Sequence, residues 1–84
     1  MYNYQELKPQ LFTEDNQRLF LKVRDKLNAL LTVAGCARMQ EITPDCSWIS
    51  MACVDRLVEL NEIHEVEYFE NGSRPVGQHR LFIR

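Results

Sequence analysis

The sequence predicts an α+β fold of about three helices followed by a two-stranded antiparallel β-hairpin. Three observations carry this reading: a long segment of helical period after Thr13, a second after Asp45, and a switch to strand period from Ile63 onward. Residues 1–12 form an amino-terminal arm in which Tyr2, Tyr4, Leu7, Leu11 and Phe12 are apolar enough to pack down, while Pro9 prevents a clean helix. Thr13 can cap the first long helix, and Glu14 and Asp15 sit in its first turn, where the helix dipole favours carboxylates. Leu19, Phe20, Val23, Leu27, Leu30 and Leu31 then fall on one helical face, and Arg18, Lys22, Arg24, Asp25 and Lys26 occupy the solvated others. The helix should end near Ala34, with Gly35 as a left-handed stop.

Residues 36–42 read as a short helical stretch, broken by Thr43-Pro44-Asp45 because Pro44 disfavours a helical Thr43. Thr43 or Asp45 can cap the third helix, expected over residues 46–60, and Asn61 suits its left-handed terminus. The segments 63–69 and 78–84 alternate and are β-rich. Asn71-Gly72 signals a turn between them, and Pro75 makes the tip irregular. A register with Val66 opposite Leu81 and Glu67 opposite Arg80 places an apolar pair on one face and an ion pair on the other.

With 84 residues the chain makes one domain, arm 1–12 and body 13–84. At 45% apolar and 26% charged residues it is of ordinary globular composition and outside the disordered class. No apolar run approaches the roughly 20 residues of a membrane span, and the first residues are neither basic nor apolar enough for a secretory signal. A cytoplasmic location is the expectation. Cys36, Cys46 and Cys53 are odd in number and form no C-x-x-C pair, and His64 and His79 lie far downstream, so neither a disulfide framework nor a metal site is expected. The two histidines sit in opposite predicted strands, where partly buried structural roles are expected. No cofactor is implied: Gly35, Gly72 and Gly77 have no phosphate-loop or dinucleotide spacing. No nucleophile has a positioned base, so an enzyme is not expected.

The order of long helix, short helix, tight turn, third helix and hairpin over residues 13–84 resembles winged helix-turn-helix domains. The stretch Ser50 to Ile63 is similar to the third helix and wing entry of MarR-like and related small bacterial regulators. Leu57 matches the family's buried leucine, Asn61 its turn residue (usually Gly), and Ile63 the aliphatic residue that enters the wing. The resemblance implies a transcriptional regulator that binds duplex DNA, with the third helix in the major groove and the wing on the backbone or minor groove.

On this reading the DNA-binding candidates are Arg38, Ser47, Trp48, Ser50, Met51, Arg74 and Arg80. Arg38, Ser47 and Ser50 suit phosphates, Arg74 at the hairpin tip suits a minor groove, and Arg80 extends a basic strip. A helical wheel at about 100° per residue puts Trp48, Met51, Asp55 and Glu59 on the face away from the core. An indole, a thioether and two carboxylates make a poor base reader, since readout favours Arg, Lys, Asn and Gln. The net charge of −2 likewise lacks the basic footprint of a nucleic-acid binder. The alternative is therefore a protein-interaction adaptor or inhibitor that uses Trp48, Met51, Asp55 and Glu59 as its contact face and does not bind DNA. Trp48 folding back on the arm or wing is the competing structural reading. A homodimer through the arm and first helix fits either function.

Overall fold

The computed structural model describes residues 1–67 and 75–84. Its central element is the long helix α2, Glu14–Ala34. The Thr13 hydroxyl accepts from the Asn16 N–H at 3.3 Å, and Gly35 closes the helix at φ 77° with its N–H on the Leu31 carbonyl. Val23, Leu27 and Leu31 are the buried line of the expected apolar face, with Leu19, Phe20 and Leu30 packed beside it.

Ahead of α2, the arm forms the single-turn helix α1, Tyr4–Leu7, capped by Asn3, and then a 3-10 helix, Lys8–Phe12. The change from α to 3-10 geometry falls where Pro9 removes a backbone donor. Leu11, 3% exposed, anchors this segment in the core.

Residues 36–42 are not one helical stretch. Ala37–Arg38 form strand β1, and only Met39–Ile42 are helical, as α3. The left-handed Gly35 turns the chain out of α2, so Ala37 lies fully buried opposite Phe82. The Glu41 carboxylate then accepts from the Arg38 N–H at 2.9 Å and starts the turn of α3. Of the two capping candidates for the next helix, Thr43 is turned back and donates to the Met39 carbonyl, while Asp45 accepts from the Ser47 N–H at 3.3 Å. Cys46 takes φ 56°, which delays the helix start to Trp48.

That helix, α4, runs Trp48–Glu59. Its end has both hydrogen bonds of a Schellman motif: Glu62 N–H to Leu57 O and Asn61 N–H to Val58 O, with Asn61 at φ 60° as expected. Strand β2, His64–Glu65, follows, and β3, Leu81–Ile83, closes the chain. The three strands form an antiparallel sheet in the order β1-β3-β2. His64 pairs with Ile83 and Glu65 with Phe82, and the Val66 N–H to Leu81 O bond continues the expected register. The first part of the expected second strand is instead a 3-10 turn, Gly77–His79. The expected Asn71-Gly72 turn lies outside the described residues. The architecture is α+β, and Phe82, Leu27, Met39, Leu57, Ile63 and Val54 fill the core between α2, α4 and the sheet.

Two substitutions separate packing from backbone conformation. Leu27→Ala should cost about 3 kcal/mol in urea unfolding, since it empties a fully enclosed site. Gly35→Ala should cost about 1 kcal/mol although a Cβ there meets nothing within 4 Å, because only the left-handed conformation opposes it.

Candidate functional site

The outward face of α4 is covered by the chain's own amino-terminal segment. The Tyr2 hydroxyl donates to Asp55 Oδ2 at 2.5 Å, and its ring stands edge-on to Trp48, 6.4 Å between centroids at 71°. The Tyr4 hydroxyl donates to Glu59 Oε1 at 3.2 Å, and Lys8 Nζ lies 2.8 Å from the same oxygen. Arg56 completes the set by pairing with Glu59. The expected open row of Trp48, Met51, Asp55 and Glu59 is corrected accordingly. Met51 is buried, with Gln78 Nε2 3.5 Å from its sulfur, Asp55 is half-buried and paired, and Glu59, though paired, stays exposed together with Trp48. Two carboxylates one helical turn apart are matched by two phenols and an ammonium on the arm, which is why the arm settles there. The arm thus packs on its own chain where the sequence suggested a dimer surface.

Charge follows the chemistry of these contacts. Burial, followed by the hydrogen bond to Asp55, raises the Tyr2 phenol well above its ordinary range. Burial and the neighbouring Glu59 push the Tyr4 phenol up to about 12. The bonds from Lys8 and Arg56 hold the Glu59 carboxyl below its usual value.

Arg80 is placed under the same face. Its Nη2 lies 2.6 Å from Asp55 Oδ1 and 2.8 Å from Glu65 Oε1, and its Nε donates to Glu65 Oε2 at 3.0 Å. The guanidinium also stacks 5.2 Å from the Phe82 ring centroid. Burial alone would lower its pKa, but the bonds to Glu65 and Asp55 carry it above its ordinary value. The expected partner of Arg80, the cross-strand Glu67, gives way to these two carboxylates because they lie on the inner side, where the side chain is only 16% exposed.

The remaining candidates do not converge. Arg38 Nη1 donates to the His79 carbonyl at 2.7 Å. Ser47 is the α4 N-cap, half-buried, and Ser50 is buried on the side facing α2. Arg74 lies outside the described residues. Ser50, Met51 and Arg80 are thus interior, and the described candidates form no continuous basic strip. His64 and His79 are both exposed, so the expected partly buried histidines are corrected. Among the described residues no group of three potential ligands can hold a metal ion. All three cysteines are free thiols, and burial pushes that of Cys53 up to about 11.

A second surface was not read from the sequence. An apolar groove of about 260 Å³ lies between the 3-10 helix, α2 and the carboxyl end of α4. Phe12, Leu21 and Leu60 line it at 54%, 53% and 44% exposure, above Leu11 and Phe20. Arg56 closes one side, 5.5 Å from the Phe12 ring centroid. Leu21 falls off the apolar stripe of α2 and was the available signal, whereas Leu60 falls on the core side of a helical wheel and is exposed because α4 ends at Glu59.

No family model matches the chain, and comparisons with curated proteins and with solved structures likewise find no match. Among the described residues no helix is long and apolar enough to cross a membrane.

Tyr4 in the arm and Cys53 in the core set a pH response. Tyr4 and Cys53 ionise at about 12 and about 11 in the fold against 10.0 and 9.0 ordinarily, so the unfolded chain loses these protons first. Stability should be complete below about pH 9 and fall as pH rises to about 12. Tyr2→Phe should cost about 1 kcal/mol at pH 7 by the lost hydrogen bond and make the alkaline decline shallower, which chemical denaturation across pH 7–11 would measure.

Proposed function

We propose that this chain is a winged-helix module that acts through a protein partner and does not read duplex DNA through α4. One observation carries the reading: the helix face that a winged-helix protein would offer to DNA holds two carboxylates, and residues 2–8 of the same chain are bonded across it. The order of α2, β1, α3, α4, β2 and β3, with β1 joining the hairpin in one sheet, supports the winged-helix assignment. The groove of Phe12, Leu21 and Leu60 supports the choice of partner, because exposed apolar side chains around a concavity gain from covering by protein and gain nothing from phosphate.

Duplex DNA is the second reading, favoured by the same element order. Fluorescence anisotropy with random duplex DNA over a salt series separates the two. The protein reading expects affinity weaker than about 100 µM, the weak end of non-specific binding at physiological salt, and a flat salt response. Micromolar binding that weakens steeply with salt would overturn it. On the protein side, affinity capture from native lysate should retain a partner that Leu21→Asp with Leu60→Asp loses and Trp48→Ala keeps. Sedimentation of the same variants reports whether that partner is a second copy.

A further inference from the structure

The groove of Phe12, Leu21 and Leu60 is apolar, with one cation in its wall and, among the described residues, no carboxylate. Each helical wall presents a polar and an apolar side chain one turn apart: Gln17 and Leu21 on α2, Arg56 and Leu60 at the end of α4. Both polar side chains are drawn to Phe12. Gln17 Nε2 donates to its carbonyl at 3.4 Å, and the guanidinium of Arg56 lies 5.5 Å from its ring centroid. Leu21 and Leu60 are left as half-exposed apolar surface.

The cation in this wall is only partly compensated. Arg56 and Lys8 share one carboxylate, Glu59, which also accepts from Tyr4. Two positive charges on one negative leave the rim net positive. Neighbouring acids do not supply the difference: Glu62 is taken by Arg24 at 2.8 Å, Glu14 by Arg18 at 2.7 Å, and Asp55 by Arg80 at 2.6 Å. The size of the groove points to inserted side chains. At about 260 Å³ it falls below the roughly 300–1,000 Å³ of small-molecule pockets. Symmetry disfavours a second copy, since a two-fold contact sets the same patch on both sides and brings like-charged rims together. An anionic lipid surface would meet a chain of net charge −2.

We propose that the groove takes the apolar face of an acidic amphipathic helix from a different protein, an inference that rests on the protein-partner reading. Leucine-type side chains one turn apart on that helix cover Leu21 and Leu60, and a carboxylate on its flank meets Arg56 beside Phe12. The incoming carboxylate supplies the negative charge that the rim lacks, and Glu59 stays in place because Lys8 continues to hold it.

The test titrates the full chain into two labelled synthetic helices. Both carry leucines at i, i+4 and i+7, and they differ only in having glutamate or lysine on the flank. The glutamate helix should half-saturate at about 100 µM, the order that two covered leucines and one exposed ion pair support. The lysine helix should bind about tenfold more weakly, since it loses the pair and adds a like charge. Arg56→Gln should erase that preference, and Leu21→Asp should weaken the glutamate helix by more than about tenfold. Leu21 is exposed and Lys8 still holds Glu59 when Arg56 is replaced, so both variants keep the fold. Equal affinities, a preference that outlives Arg56→Gln, or no binding by either helix at about 1 mM would overturn the proposal. So would self-association that Leu21→Asp abolishes, or retention by anionic phospholipid vesicles that the same variant loses. The two failures are distinguishable: steep salt-dependent binding of duplex DNA removes the protein-partner reading, whereas equal affinities of the two helices remove the acidic occupant alone.

Discussion

The clamp of Arg80 on Asp55 and Glu65 is the constraint on which the rest of this small structure depends. One guanidinium at the start of β3 holds a carboxylate from α4 and another from β2, so helix and hairpin cannot move independently. Enclosed ion pairs contribute little net stability, because desolvation offsets attraction, but losing one partner strands the other. Their value here is positional. A one-residue slip of β3 would turn Arg80 to the opposite face and leave two carboxylates facing each other. Phe82, beneath the guanidinium and wholly enclosed, ties the same register to the core.

The clamp also explains the position of the arm. With Asp55 already held by Arg80, its second oxygen accepts from Tyr2, and the neighbouring Glu59 accepts from Tyr4, Lys8 and Arg56. The acidic stripe of α4 is thereby neutralised from both sides by groups of the same chain. What stays open is of different character: an apolar groove on one flank of α4. The outward face of α4 is thus occupied by the chain's own arm, and the open apolar surface lies at its edge.

Much of the fold was legible in the sequence because local rules and tertiary packing agree. Thr13, Gly35 and Asn61 act as the boundaries their side chains suit, and the Val66–Leu81 pairing follows from matching alternation. Strand β1 was not legible, since two residues between a helix stop and a helix start carry no period. The α4 face was misread for a different reason. A helical wheel identifies the side away from the main core, and it does not show whether another segment covers that side. Tyr2, Tyr4 and Lys8 complement Asp55 and Glu59, but a match across some fifty residues is visible only once the chain is folded.

Helix α1 has no fully buried residue, and the first residues meet the rest of the protein through the half-buried Tyr2, Tyr4 and Leu7, two hydroxyl bonds and an aromatic edge. Segments of this kind open at far lower free energy than the core that carries them. Trp48 is the chain's single tryptophan and stands against Tyr2. Its emission is therefore a private optical gauge of whether the first residues are seated or lifted, readable without any label and separable from global unfolding.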